Sequence, residues 1–480
     1  MKHRTARRLA LLLALLLLLA PLTSCDFLGL FGDEPETGDI SSIVSSATDA
    51  YFTTGPVTTP PASEGGTTGT VSQPAFEAFL ALVNYAKVAT VESVYYQYYI
   101  GTFHTVSEVI NEIFDTIIAT YYFERVTEPE LATSIFINSY IEVLGDRYGY
   151  YYDPVSSDEY SDELAGEYTG IGVSVTLDPD GYADILTVFR DSPAEEVGIL
   201  PGDLIVAVEG VDFAEIGYQA AINRIRGEEG TAVTITVERD GERIEFTVTR
   251  RKVTEITVEH QMLDGNIGYI RITSFDDRTY EQFVDAHRAL EAEGAVSYVF
   301  DVRNNLGGTV TSVVAILEYI LPDGDIVHFN YKDKSESSTV RTIFDYSIRY
   351  MNGKDRQYYD NHVIDKPMVV LANGNTASAG ELFTSSIKDY GVATVVGEKT
   401  YGKGVGQRNL YVSSDGSILT ITAFSYDPPT SPNYDGVGIV PHCTVSLSEE
   451  AAKKNLYKLT YDEDAQLQAA VALITSPNGQ

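Results

Sequence analysis

Between Val253 and Ile474 short apolar runs alternate with stretches of helical period, and this alternation constrains the chain more than any other feature. Ile267 to Ile272 reads as a strand, Tyr280 to Glu293 as a helix, Ser297 to Val302 as a second strand, and another helix begins near Val310. Strands and helices in such succession bury their apolar faces against each other, so residues 253–475 are expected to form an α/β core.

The segments upstream have different periods, and no internal repeat links them. Residues 168–252 are strand-rich: the alternating run from Val233 to Arg239 turns at Asp240-Gly241 into Arg243 to Val248, and a short helix is expected from Tyr218 to Ile225. Several strands and one or two helices in so short a span predict a small barrel-like module. Residues 76–167 carry a helical pattern, with Val106, Val109, Ile110, Ile113, Phe114 and Ile117 at i, i+3, i+4 spacing. Residues 25–75 are rich in Ser, Thr, Gly, Pro and acids, and read as a flexible tether that cannot offset its ordering entropy.

Residues 1–24 read as a targeting segment. Lys2, Arg4, Arg7 and Arg8 precede an apolar run from Leu9 to Leu22 that is short for a membrane span. Leu22-Thr23-Ser24-Cys25 resembles the lipobox of bacterial lipoproteins, in which the cysteine is acylated. The expectation is an exported protein held by lipid on Cys25 to the extracytoplasmic face of a bacterial membrane. Cys443 is the one other cysteine, so a lipidated Cys25 leaves no intrachain disulfide. The formal charge of −36 becomes −40 once the basic residues of the leader are gone, which argues against nucleic acid as a partner. No Cys/His cluster has metal-ligand spacing, and no cofactor is expected.

The chemistry is carried by a strand-turn-helix. Met368 to Leu371 reads as a buried strand that leads through Asn373-Gly374-Asn375 to Ser378 and an amphipathic helix with Leu382, Phe383, Ile387 and Tyr390 on one face. A hydroxyl there stands at a helix N-terminus, whose backbone N–H groups and dipole can stabilise an oxyanion. Ser378-x-x-Glu381 is equally a capping box, and on this segment alone the cap is the better reading. A nucleophilic serine needs a base. The seven histidines are scattered, and Thr376 stands where G-x-S-x-G has its first glycine, so a Ser-His-Asp arrangement is unsupported. Lysine is the other candidate, provided burial keeps its amine neutral. Lys403 lies between Gly402 and Gly404, after the strand from Val392 to Val396, where backbone can pack closely around it. The stretch from Gly397 to Lys403 also fits a phosphate loop, but Gly404 replaces the required Ser/Thr and no helix follows.

Ser378 and Lys403, 25 residues apart, with Gln407 four further on, resemble the Ser-Lys-Gln constellation of the carboxyl-terminal processing peptidases. The likeness runs from about Tyr140 onward. Leu144-Gly-Asp146-Arg-Tyr148 and Gly166 to Val173 resemble the family's entry into a PDZ domain. Ser192-Pro-Ala194, Gly198 to Ile205 and Ile225-Arg226-Gly227 resemble the PDZ interior, and Gly268 to Phe275 and Asp301 to Gly308 the protease core. The resemblance implies a multidomain α/β protein: a crotonase-like and Clp-protease-like serine protease core, a PDZ domain inserted before it, and a helical N-terminal region. It implies Ser378 as nucleophile, Lys403 as general base, Gln407 orienting the lysine, and an oxyanion hole from Ala379 with Gly307 or Gly308. Departures are Leu306 for proline, Thr376 and Gly380 for serines, and His442 for an acid.

Gly170-Ile171-Gly172-Val173 can offer N–H groups to a terminal carboxylate while a peptide adds to the sheet edge. The resemblance implies substrates that are proteins or peptides with accessible C-termini, cut near those ends, and homo-oligomerisation stays open. The stretch from 332 to 359 reads as an insertion that lines the cleft or lies on the surface. The rival reading is a non-catalytic PDZ scaffold or adaptor. Intact Ser378, Lys403 and Gln407 argue against it.

Overall fold

The computed structural model describes residues 40–53, 72–121, 123–178, 181–189, 191–342, 364–454 and 456–476. The leader, Cys25, most of the expected tether and residues 343–359 of the insertion lie outside these. Helix α1, Ile40–Thr53, belongs to a unit of its own. It falls within the stretch expected to be a flexible tether, where Ile40, Val44 and Thr48 recur at helical spacing within a composition that hides them.

The second unit begins with helices. Helices α2 (Gln73–Leu80) and α3 (Tyr85–Tyr98) are followed by α4 (Ile110–Thr120) and α5 (Pro129–Val143). Asn84 caps α3 by accepting the Lys87 N–H at 3.3 Å, and Pro129 opens α5, where its fixed φ suits the first turn. In α4 the apolar stripe of Ile110, Ile113, Phe114, Ile117 and Ile118 is buried. This helix starts later than its periodicity suggested, for Val109 is its N-cap and Val106 precedes it. Strand β1 (Tyr150–Tyr152) and helix α6 (Pro154–Leu164) lead to β2 (Glu167–Gly170).

The small module follows: β3 (Val173–Leu177), β4 (Ala183–Val188), α7 (Pro193–Val197), β5 (Leu204–Val208), β6 (Val211–Asp212), α8 (Phe213–Ile216), α9 (Tyr218–Ile225), β7 (Ala232–Arg239) and β8 (Glu242–Thr249). Its antiparallel sheet has the order β3-β4-β5-β7-β8, with β6 on β5. Alternate residues Val233, Ile235 and Val237 of β7 point inward onto Ile185, Ile205, Val208 and Phe213, and the β7–β8 hairpin turns at Asp240, whose φ is +53°. Strand β9 (Arg251–Thr254) then pairs antiparallel with β2, Gly170 opposite Arg251, so the module enters and leaves through one two-stranded neck.

The remaining elements are β10 (Val258–Leu263), β11 (Ile267–Ile272), α10 (Thr279–Glu293), β12 (Ser297–Asp301), α11 (Val310–Ile320), β13 (Asp325–Tyr331), β14 (Ser338–Arg341), β15 (Met368–Ala372), α12 (Ala379–Tyr390), β16 (Ala393–Gly397), β17 (Val405–Tyr411), β18 (Ile418–Asp427), β19 (Cys443–Thr444) and α13 (Ala465–Thr475). Six strands form the sheet β10-β11-β12-β15-β16-β19, parallel except at β10–β11. Strands β12 and β15 are buried along their whole length, as both faces of a parallel sheet demand. Leu467, Ala470 and Ile474 of α13 pack against Val299, Val369, Leu371 and Val396. A second sheet is built on β18, which pairs with β1, β13 and β17, with β14 beyond β13. Through β1 the helical region is therefore stitched into the same body as the α/β core.

Candidate active site

The loop after β15 is fixed from both sides. The Thr376 hydroxyl donates to the Val302 carbonyl at 2.8 Å, the Ala377 N–H to the Asn305 carbonyl at 2.9 Å, and the Tyr401 N–H to the Thr376 carbonyl at 3.0 Å. Ser378 follows with φ +52° and ψ −118°, a conformation that suits glycine and costs a non-glycine residue on the order of 1–3 kcal/mol. A serine that served only as a helix cap would sit in extended backbone without that strain. The cap reading accounts for the carboxylate, since Glu381 accepts the Ser378 N–H at 3.1 Å, but leaves the strain unexplained.

Glu381 does more than close a helix end. One of its oxygens, Oε1, accepts the Thr400 hydroxyl at 2.6 Å and the Gly402 N–H at 2.7 Å; Oε2 accepts the Lys403 N–H at 2.7 Å together with that of Ser378. The backbones of Ser378 and Lys403 thus meet on a single oxygen atom. The side chain is fully buried, and burial raises its pKa while the four donors pull it down.

Lys403 is half-buried. Its Nζ lies 4.2 Å from the centre of the Tyr148 ring and has no ion pair among the described residues. Burial lowers its pKa, against the pull of Asp146, Asp435 and Glu381 in the other direction. The flanking glycines matter by volume: a Cβ at Gly404 would lie 2.8 Å from the Asp435 nitrogen, and one at Gly402 2.8 Å from that of Gly438.

The other expected site residues divide. The Ala379 N–H opens helix α12 and has no acceptor among the described residues. Gly307 lies against the serine, where a Cβ would be 2.7 Å from that of Ser378 and 3.1 Å from the Ala379 nitrogen, but its N–H is committed to Asn305 Oδ1 at 2.8 Å. The Gly308 N–H has no acceptor among the described residues, and Gly308 forms a bridge with Phe275. Gln407 makes no direct hydrogen bond to Lys403 among the described residues. Its amide donates to Thr422 Oγ1 at 3.3 Å, and that hydroxyl donates to Asp146 Oδ1 at 2.6 Å, so the connection to Lys403 runs through the carboxylate that attracts it.

Asp146, Tyr148, Thr422 and Tyr426 complete the surroundings, and sequence reading assigned none of them a role. Leu144-Gly-Asp146-Arg-Tyr148 was legible as a motif in family order, which was the available signal. Asp146 also accepts the Tyr95 hydroxyl and the Thr422 N–H, both at 3.0 Å. A cavity of about 530 Å³ opens beside Gly402, lined among others by Tyr99, Asp146, Arg147, Tyr148 and Tyr401. The described histidines serve elsewhere: His287 bonds Tyr319, His328 bonds Thr339, His442 accepts the Val395 N–H, His104 lies beside Glu108, and His260 is on the outer strand β10. His3 and His362 lie outside the described residues.

In the small module, β3 is an edge strand and Gly170 to Val173 form its entry. The carbonyls of Ile171 and Gly172 accept the N–H groups of Ala194 and Phe189 at 2.8 and 2.9 Å, and the N–H groups of Ile171 and Gly172 have no backbone acceptor among the described residues. Among the described residues no helix is long and apolar enough to cross a membrane, and no cluster of His, Cys, Asp and Glu suits a metal.

Known proteins share this arrangement. Residues 266–445 match the model of peptidase family S41, and residues 185–239 that of the PDZ domain. A carboxyl-terminal-processing protease of Synechocystis sp. is 33% identical over 318 residues, covering 65% of this chain and 69% of its own. One from Picosynechococcus sp. is 31% identical over 350 residues, covering 71% and 78%. An S41-type protease candidate from Bacteroides fragilis, known as a solved structure, has the same fold at 18% identity and TM-score 0.52, covering 80% of this chain and 96% of that one. Fold, PDZ module and kinship together make the molecule a serine-type peptidase. Within that class the chain belongs to the carboxyl-terminal processing proteases of peptidase family S41.

Proposed function

We propose that this peptidase cleaves protein substrates near their C-termini with Ser378 as nucleophile and Lys403 as its base, on the extracytoplasmic face of a membrane to which lipid on Cys25 anchors it. The observation that carries the reading is the shared Glu381 oxygen, which keeps the two backbones together whatever their side chains do. The layering of a parallel sheet between helices supports a crotonase-like and Clp-protease-like core.

A neutral Lys403 takes the proton of the Ser378 hydroxyl as Oγ bonds to the scissile carbonyl carbon. The oxyanion is met by the N–H groups of Ala379 and Gly308. The ammonium of Lys403 then returns a proton to the leaving amine, and the acyl-enzyme is hydrolysed by water activated in the same way. The PDZ module holds the substrate tail, its terminal carboxylate at the N–H groups of Ile171 and Gly172 and its backbone along β3. The full chain, purified in detergent, is expected to degrade an unstructured protein, and Ser378→Ala and Lys403→Ala each to reduce turnover to background. Full turnover in either variant refutes the dyad.

A further inference from the structure

We propose that Tyr148 is a further catalytic residue of the reaction: the face of its ring receives the positive charge that Lys403 acquires when it takes the proton of Ser378. The proposal rests on the serine–lysine reading and adds to it a residue from the helical region, outside the α/β core.

Tyr148 lies in the loop that joins α5 to β1, and Asp146 holds that loop in place. Its Oδ1 accepts the N–H groups of Tyr148 and Gly149 at 3.3 and 3.0 Å. The same carboxylate takes the Tyr95 hydroxyl of α3 at 3.0 Å and, from β18, the Thr422 hydroxyl and N–H at 2.6 and 3.0 Å. The loop is thus pinned between the helices and the second sheet, and Gly149 permits the approach, for a Cβ there would run into the Tyr95 hydroxyl. Lys403 is fixed from its own side by backbone: its N–H donates to Glu381 Oε2 and its carbonyl accepts the Tyr426 hydroxyl, both at 2.7 Å. The side chain ends with Nζ 4.2 Å from the centre of the Tyr148 ring, too close for water to come between.

A neutral amine gains little from an aromatic face, whereas an ammonium is drawn to the negative side of the ring quadrupole. The contact therefore strengthens as the proton moves, and an interaction stronger in the transition state than in the ground state accelerates the step. On attack the Ser378 O–H bond breaks as an N–H bond forms on Lys403, the Oγ–carbon bond forms, and the carbonyl π electrons pass to oxygen. The ring then faces the new ammonium until that proton leaves with the amine. Tyr148 neither gives nor takes a proton. Asp146, Asp435 and Glu381 attract the same charge and burial opposes it. Arg147 is a like charge 5.8 Å from the centre of the same ring, and its guanidinium donates to the Tyr401 hydroxyl at 3.5 Å. All of these remain when the ring alone is replaced.

The test uses the full chain in detergent and follows kcat on an unstructured protein against pH. In Tyr148→Leu, which keeps an apolar cover and removes the face, the high-pH plateau is expected to fall about 10- to 30-fold with KM within about twofold. The inflection is expected to move to lower pH, because the ammonium has lost a partner. Tyr148→Phe, which keeps the face, is expected to recover most of both. An unmoved inflection in Tyr148→Leu, as a ring that only filled space would give, or a plateau within about twofold of the parent, overturns the role of Tyr148. With Ser378→Ala and Lys403→Ala inactive, either result leaves the dyad standing; activity in Ser378→Ala overturns the reading beneath it. A second measurement does not depend on the Leu variant folding. Phenylalanine carrying one, two or three ring fluorines at position 148 keeps the shape and weakens the negative face in steps. The plateau is expected to fall and the inflection to move to lower pH with each fluorine, and a flat series refutes the contact.

Discussion

Lys403, the proposed base, illustrates how much the surroundings of a residue decide and how little its type does. A lysine in water is an ammonium at neutral pH and cannot accept a proton. Here burial draws the pKa below the usual 10.5, and Asp146, Asp435 and Glu381 resist. The sign of the pH dependence follows, because the base works only when uncharged. At saturating substrate the rate is expected to climb with pH through one ionisation below 10.5, and to move to still lower pH in Asp435→Asn, where one attracting charge is gone. A profile that Asp435→Asn leaves in place removes electrostatic tuning from the account. The face of Tyr148, 4.2 Å from the amine, favours the charged form and belongs to the same balance.

At the scale of elements, the end of β12 is fastened by ions. Arg303, fully buried, donates to Asp301 at 2.6 Å and to Asp464, the N-cap of α13, at 2.8 Å, and a further bond reaches Gln466 at 3.0 Å. Burial pushes the Asp301 carboxyl up, but the guanidinium outweighs it and holds the pKa down at about 2 against an ordinary 3.8. A depressed carboxylate pKa contributes stability that is present above pH 4 and lost as pH falls from about 4 to about 2. Asp464→Asn is expected to destabilise the chain by roughly 3–5 kcal/mol, since it leaves a buried guanidinium half paired. Urea unfolding at pH 7 checks this, and a change under about 1 kcal/mol counts against it. These elements were readable in the sequence because their apolar periods are strong: β12, β15, α9 and the β7–β8 hairpin lie where their patterns put them. The ion network was not, because Asp464 and Arg303 are 161 positions apart and nothing local pairs them. The site was legible in the same uneven way. Ser378 and Lys403 stand in motifs with characteristic neighbours, whereas Asp146 meets Thr422 across 276 residues, and the partner of Gln407 depends on a strand pairing that no short window contains.

On the scale of the whole molecule, the catalytic body is discontinuous in sequence. Strand β1 and Asp146 precede the PDZ module, and β18, which receives both, follows it. Lys87 adds a further tie, paired with Glu130 and with Asp415 of the β17–β18 turn at 2.7 Å each. Residues 253–475 alone are thus expected not to melt cooperatively, whereas a chain in which residues 171–250 are replaced by a short turn should melt cooperatively and still label at Ser378. Loss of both properties in that shortened chain would mean that the body leans on the module. The register of the neck explains the expectation, for Gly170 and Arg251 face each other as two ends of a hairpin would. Beyond that pair the module also meets the core, Asp184 pairing with Lys458 and the Thr187 hydroxyl donating to Glu259 at 3.2 Å. Recombination at that neck, with two side-chain contacts to re-form, can exchange the module while the backbone pairing of the protease body is kept, so the two parts of this architecture are free to evolve on separate clocks.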